Sequence, residues 1–132
     1  MNQMTACAAI LYFGLLGTFA GAQARDPMEG RFLHHVLFWL TEPDNPQARQ
    51  QFLAELQKMK AIPTIRSSYV GVPAGTPRDV VDNSWTFSWL VSFEDRTGWQ
   101  VYNDHAIHQE FVKRAGHLWK RVVVYDSVPA PR

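Results

Sequence analysis

From residue 32 onward the hydrophobic positions form six regular segments, and their periods alternate between those typical of strands and of helices. The first segment, Phe32–Leu40, is a continuous apolar run of aromatic and branched residues between Gly30 and Pro43. This length and these flanks favour a strand over a helix. Because neighbouring side chains of a strand point to opposite faces, both faces carry apolar groups and both should be covered.

The second segment has the period of an amphipathic helix. Asn45 is a good N-cap, and Pro46 suits the first helical turn. Pro63 ends the helix because the residue before a proline is disfavoured in the α region. Between these signals, one stripe is apolar and consists of Phe52, Leu56, Met59 and Ile62. The stripe predicts a helix that packs on a core and leaves its polar face in water.

Two further strands are predicted at residues 65–72 and 84–93, with a turn-rich loop at residues 73–83 between them. The second of these strands has the clearest alternation in the chain. Its large side chains share one face, and they are Trp85, Phe87, Trp89, Val91 and Phe93. Its hydroxyl-bearing side chains share the other face, and they are Ser84, Thr86, Ser88 and Ser92. The large side chains indicate a core, and the small ones suit the wall of a cavity.

The last two segments are a helical region and a strand. Thr97 and Gln100 fit the capping-box pattern, which places a helix start near Gly98. The helical region has a break near residues 104–105. Its apolar stripe is formed by Ile107, Phe111, Ala115 and Leu118. A final Val-rich strand is predicted at residues 120–128.

The order of the elements is therefore β-α-β-β-α-β. Two βαβ halves joined by a hairpin predict a ferredoxin-like α+β fold, with a four-stranded antiparallel sheet and both helices on one face. The last strand then lies at a sheet edge, and the sheet face opposite the helices is left uncovered. Bare edges and large apolar faces promote association. Pairing two copies covers both, so the sequence predicts a homodimer built as a dimeric α+β barrel.

The N-terminal 24 residues have the character of a secretory signal peptide. They contain no Asp, Glu, Lys or Arg, and an apolar run at residues 6–20 leads to the A-x-A site Ala22-Gln23-Ala24. Polar sequence begins at Arg25. We expect cleavage after Ala24, export to the periplasm or the extracellular space, and a mature domain at residues 25–132 without stable membrane insertion. The alternative is an uncleaved anchor, for which the apolar run is short.

Charge and cysteine content narrow the function classes. The 132-residue chain has a formal net charge of +1, which is not the signature of a nucleic-acid-binding protein. Its single cysteine, Cys7, lies inside the predicted signal peptide. The mature chain would then have no disulfide, no thiol nucleophile and no cysteine-based metal site.

The chain from about His34 to Val128 resembles the stress-responsive A/B barrel (Dabb) family, and the exported context resembles its bacterial secreted branch. The segments that carry this resemblance are HHVLFWL, IPTIRSSYVGVPAGTPRDVVDNS, SWLVSFED, YNDHAIHQEF and LWKRVVVYDSVP. Members of this family form dimeric α+β barrels. The resemblance therefore implies the same fold and the same homodimer that the hydrophobic pattern predicts.

A plant member of the family, olivetolic acid cyclase, closes a linear polyketide by aldol condensation with two histidines and a tyrosine. The resemblance implies that His35, Tyr102 and His108 hold these catalytic positions. A neutral histidine would abstract a proton next to a carbonyl, while a phenol or a second imidazole would stabilise the enolate. The alternative is structural, since the same side chains can simply join neighbouring elements by hydrogen bonds. His34 and His35 must in either case point to opposite faces of the first strand.

The histidine pattern also raises the question of a metal. His105 and His108 lie three residues apart, a spacing at which two imidazoles can share one helical face, and His35 could add a third. Asp104 could supply a further ligand, but an acidic residue beside a helical break is more often a cap, and no carboxylate or cysteine stands at a signature spacing. We predict no metal and no cofactor.

Three functions remain open at this point. The leading hypothesis is a Dabb-type barrel that binds a small hydrophobic or aromatic ligand. The second is a cofactor-free, cyclase- or lyase-like enzyme that uses histidine and tyrosine for acid–base chemistry. The third, by analogy of fold alone, is a monooxygenase-like dimeric barrel.

Overall fold

The computed structural model describes Met28 and residues 31–131, and the predicted signal peptide lies outside these residues. The elements are β1 (Phe32–Leu40), α1 (Pro46–Lys58), β2 (Ser67–Gly71), β3 (Phe87–Phe93), α2 (Arg96–Asp104), α3 (Ala106–Ala115) and β4 (Trp119–Ser127). Short 3-10 turns follow α1 and α3. Within the described residues, none of the helices is long and apolar enough to cross a membrane.

The four strands form one sheet in the order β2-β3-β1-β4, and each neighbouring pair is antiparallel. The predicted ferredoxin-like α+β fold is confirmed, and β4 lies at an edge as expected. Val36 of β1 stands opposite Trp89 of β3 and Val124 of β4. Residues opposite each other in an antiparallel pair share a face, so these three side chains belong to the same side of the sheet.

The described helices cover one face of the sheet, and no other described helix covers the opposite face. The core on the covered side is aromatic, and Phe52 of α1 lies fully buried at its centre. Its ring is 4.9 Å from that of Phe38 and 5.3 Å from that of Phe87. On the opposite face, apolar side chains remain half-buried or exposed, and they are Leu33, Leu37, Leu90, Val123 and Tyr125. The uncovered face that motivates a homodimer is therefore present.

Helix α1 begins and ends where the sequence places it. The Asn45 side chain accepts hydrogen bonds from the backbone N–H groups of Gln47 (3.0 Å) and Ala48 (3.3 Å). These bonds satisfy two of the donors that a helix N-terminus leaves unpaired. All four members of the predicted apolar stripe are buried, from Phe52 to Ile62.

The second helical region begins earlier than the capping-box pattern suggests. Asp95 is the N-cap, and its carboxylate accepts from the backbone N–H of Gly98 at 2.9 Å. Gln100 does not reach back to the helix start, because its side chain donates to Asp104 at 2.8 Å. A carboxylate is a stronger cap acceptor than a threonine hydroxyl, and its charge favours the helix N-terminus.

Strand β3 is shorter than predicted, since it begins at Phe87 and not at residue 84. Trp85 is therefore not part of the large-residue face, and its indole N–H donates to the backbone carbonyl of Asp82 at 2.8 Å. The hydroxyl-bearing side chains of β3 make contacts with β2. Ser92 bonds to Ser67 across the strands at 2.6 Å. Ser88 lies against Gly71, where an added Cβ would stand 2.7 Å from its hydroxyl oxygen.

Candidate functional site

A cavity of about 420 Å³ lies on the helix-covered side of the sheet, between the strands and helices α2 and α3. Its lining is mainly apolar and consists of Val36, Phe38, Met59, Phe111, Val112, Trp119, Val122 and Val124. The polar side chains of the lining are His34, Trp89, Tyr102, Asn103 and His108. Among the described residues, the lining includes no Lys, Arg, Asp or Glu. The cavity thus offers a few hydrogen-bonding groups in an apolar setting.

His34 is the polar group that the sheet itself supplies. It lies on the helix side of β1 and is buried. Its Nδ1 is 2.6 Å from a carboxylate oxygen of Asp126, the residue opposite it on β4. Because an ionised carboxylate only accepts hydrogen bonds, Nδ1 carries the proton of this contact. In the neutral imidazole, Nε2 then keeps its lone pair and is able to accept a proton.

Tyr102, at the end of α2, has a side chain that is almost fully buried. Its ring centroid lies 5.6 Å from that of His34 and 4.9 Å from that of His108. Its hydroxyl oxygen accepts a hydrogen bond from the indole N–H of Trp89 at 3.2 Å. Burial raises the pKa of the phenol well above its usual value, and the bond from Trp89 opposes that rise. The phenol therefore stays protonated at neutral pH and can donate a hydrogen bond.

His108, near the start of α3, completes the polar group of the cavity. Burial lowers the pKa of its imidazole below the ordinary value of 6.5, and the nearby charge of His34 acts in the same direction. A backbone hydrogen bond with Asn103 works against this shift. Because the net effect is a pKa below 6.5, His108 is mainly neutral at pH 7.

A break in the helix brings Tyr102 and His108 together. His105 between α2 and α3 has an extended backbone (φ −67°, ψ 140°), and its Nδ1 accepts a hydrogen bond from the backbone N–H of Ile107 at 3.2 Å. In a continuous helix, residues six apart would lie more than a turn apart on different sides. The break predicted near residues 104–105 is confirmed, and it lets both rings face one cavity.

The structure brings together two of the three predicted site residues. Tyr102 and His108 meet, but His35 lies on the other face of β1, opposite Leu90 and Tyr125. The expected convergence of His35 with the other two is therefore not observed, and its neighbour His34 occupies that place. Burial, followed by the charge of His34, lowers the pKa of His35.

Sequence reasoning missed three participants, namely His34, Trp89 and Asp126. The alternation of β1 fixes that one histidine faces the helices, but it does not say which one. The apolar neighbours supply the missing signal, since Phe32, Val36 and Phe38 share the face of His34 and are buried. Among the described residues, no group of three or more His, Cys, Asp or Glu side chains is arranged to hold a metal ion.

The pH dependence of stability tests the environment of His108. Because the folded chain holds this pKa below the 6.5 of the free side chain, the unfolded chain takes up the proton first. The stability that a neutral His108 contributes is fully present above pH 6.5 and is lost as the pH falls below 6.5. We expect urea denaturation to show a larger loss of stability between about pH 7.5 and pH 5 for the wild type than for His108→Gln. Parallel losses in the two proteins would contradict the assignment.

Comparisons with known proteins agree with the fold described above. The family model of the stress responsive A/B barrel domain matches residues 32–129. A Dabb family protein with a ferredoxin-like fold from Mesorhizobium loti has 24% sequence identity and a TM-score of 0.66, with coverage of 78% of this chain and 100% of that one. A dimeric ferredoxin-like protein of unknown function from Thermobifida fusca has 19% identity and a TM-score of 0.61, with coverage of 76% and 93%.

A third solved structure has an assigned activity. It is a hydroxynitrile lyase from Passiflora edulis, with 14% identity, a TM-score of 0.66 and coverage of 77% of this chain and 95% of that one. At these identities each likeness shows the fold alone. No curated protein matches the chain.

Proposed function

We propose, from the premise that the chain belongs to the stress responsive A/B barrel family, that it binds a small, largely apolar ligand in the cavity beneath α2 and α3. One observation carries this proposal. A cavity of about 420 Å³ lies beside buried hydrogen-bonding groups, and the ionisable residues of its described lining are two histidines and Tyr102. Ligand pockets in proteins commonly have this size and this balance of apolar wall and few polar groups.

Filling the cavity tests the proposal. Val124 lines it and is 45% exposed, whereas Val101 on α2 is 47% exposed and lies outside it. We expect Val124→Trp to weaken binding of acetophenone, a small aromatic ketone, by about tenfold or more, because loss of contact with a buried ligand of this size costs above 1.4 kcal/mol. Calorimetric titration of the folded variants measures the effect.

The matched control is Val101→Trp, which adds the same side chain at a similarly exposed valine. It should bind acetophenone as the wild type does. Equal weakening in both variants would show that the effect does not come from the cavity. Failure of the wild type to bind small aromatic compounds at millimolar concentration would contradict the proposed function.

A second candidate function is cofactor-free acid–base catalysis, and the contact between His34 and Asp126 favours it. The carboxylate fixes the imidazole tautomer and stabilises the imidazolium that forms when Nε2 takes a proton. The neutral Tyr102 hydroxyl can donate to the enolate oxygen that forms at the same time. The sequence resemblance to olivetolic acid cyclase implies the same type of chemistry, but it assigns His35 and not His34 to the histidine position in the first strand. Exchange of the methyl protons of acetophenone with D₂O is the simplest reaction that reports it.

We also propose that the protein is exported and that it belongs to the bacterial secreted branch of the family. Export is supported by the charge-free, apolar N-terminus and by the processing site that ends at Ala24. We expect the N-terminus of the exported protein to be Arg25 or a residue close to it, as read by N-terminal sequencing. Soluble protein that retains Met1 would contradict processing.

We further propose that the working unit is a homodimer. The Thermobifida fusca relative is described as dimeric. In this chain the sheet face opposite the helices presents Leu33, Leu37 and Tyr125, and Tyr125 is 60% exposed. A second copy placed on this face would bury these side chains without obstructing the cavity, which opens on the other side of the sheet.

A further inference from the structure

The direction of the hydrogen bond between Trp89 and Tyr102 limits the kind of ligand group to which the Tyr102 hydroxyl can bond. An indole N–H can only donate, so the phenol oxygen of Tyr102 is the acceptor in this 3.2 Å contact. A phenol also carries a proton of its own. Within the described part of the chain, the Tyr102 hydroxyl makes no second hydrogen bond. Its proton therefore has no partner among the residues that the structure describes.

We propose that Trp89 is a positioning residue, which occupies one lone pair of the Tyr102 hydroxyl so that its proton is offered to an acceptor oxygen of the bound ligand. This inference rests on the proposed function and makes it more specific. The ligand class is that of small apolar compounds with a carbonyl oxygen, because such an oxygen accepts a hydrogen bond and donates none.

The placement of Trp89 suits this role. It stands in β3, one of the two inner strands of the sheet, and is 1% exposed. In register it lies between Val36 of β1 and Val70 of β2. A ring held on both sides in the middle of a sheet has little rotational freedom, so its N–H points in a fixed direction. Tyr102 is equally buried, so its ring is also held in place and only the rotation of its O–H group is free. The hydrogen bond from the Trp89 indole sets that rotation.

The neighbouring imidazoles leave the phenol proton available. The ring centroids of His34 and His108 lie 5.6 Å and 4.9 Å from that of Tyr102, yet neither imidazole forms a hydrogen bond with the hydroxyl. The Nδ1 of His34 is already engaged by Asp126. A ligand oxygen that enters the cavity is thus the acceptor that the arrangement lacks, and a buried donor without a partner favours such a ligand.

A pair of probes of the same shape separates hydrogen bonding from packing. Acetophenone and α-methylstyrene differ in that a carbonyl oxygen of the first is replaced by a CH₂ group in the second. We expect the wild type to bind acetophenone about five- to tenfold more tightly than α-methylstyrene, after correction for the different solubilities of the two probes in water. Because both probes fill the same space, any change in cavity volume affects both affinities and cancels in their ratio.

The decisive variants are Trp89→Phe and Tyr102→Phe. Each should bring the ratio of the two affinities close to one, the first by freeing the hydroxyl torsion and the second by removing the hydroxyl. The matched control is Trp39→Phe, because the Trp39 indole also donates to a hydroxyl, that of Ser84 at 3.0 Å, but does so outside the cavity. This control should keep the wild-type ratio.

The outcomes are distinct. If neither probe binds the wild type, the proposed function fails and the inference fails with it. If both bind with equal corrected affinity, the cavity binds apolar ligands but the carbonyl specificity is wrong. If the ratio falls in Tyr102→Phe and stays at the wild-type value in Trp89→Phe, the phenol donates without help and the role of Trp89 is refuted.

Discussion

Replacing His34 with Gln should slow the exchange of acetophenone methyl protons into D₂O by about 100-fold or more, which is the lower range for loss of a general base. Glutamine keeps a hydrogen-bonding side chain of similar length but cannot accept the proton. The measurement is proton NMR of the ketone methyl signal over time near neutral pH, with uncatalysed exchange subtracted. The Asp126 carboxylate is then left without its partner, but it is partly exposed and water can solvate it.

His35→Gln is the matched control for this experiment. It makes the same change at the adjacent residue, whose side chain lies on the other face of β1. We expect exchange within about threefold of the wild type, as usual for a substitution that does not touch the reacting atoms. A large effect of His35→Gln with none of His34→Gln would restore the original sequence-based assignment. Equal rates in all three proteins would refute acid–base catalysis.

Introducing a charge at Leu37 should separate the proposed homodimer. Leu37 stands between Ser88 and Val123 on the face of the sheet that no described helix covers. In a symmetric dimer the carboxylate of Leu37→Asp would be buried twice, and like charges brought together cost several kcal/mol. We expect the dissociation constant to rise by about a thousandfold or more, as measured by sedimentation equilibrium over a range of concentrations.

Val101→Asp is the control, because it places the same charge on helix α2, outside the uncovered face. It should leave the dissociation constant unchanged. A wild-type protein that sediments as a monomer at low micromolar concentration would contradict the homodimer. A Leu37→Asp protein that remains dimeric would place the interface elsewhere.

The fold could be predicted because its signals are local and repeated. The apolar run Phe32–Leu40 and the cap at Asn45 each fix an element without information from the rest of the chain. Boundaries were less accurate where two local signals compete. Asp95 lies two residues before Thr97, and either can cap a helix. The charge of Asp95 decides in its favour, and that advantage depends on the backbone around it.

The site was harder to predict because it depends on pairings between distant elements. Whether His34 or His35 faces the helices is a question of register, and a shift of one residue reverses the answer. Asp126 can be recognised as the partner of His34 only once β4 has been aligned with β1. Trp89 fits the pattern of a core residue equally well, since the pattern reports burial and not the atom to which its N–H donates.

The contact between His34 and Asp126 joins residues that are 92 positions apart, in the first and the last strand of the domain. Such a contact closes nearly the longest loop in the domain. The entropy lost on closing this loop is offset only when the strands between these two residues have already formed. Val122 and Val124, in that last strand, also form part of the cavity wall. A growing chain whose last strand has not yet been synthesised therefore has neither the completed pocket nor the carboxylate that orients His34. Any partly folded form without β4 therefore lacks the complete cavity, so the proposed ligand binding would require the completed domain.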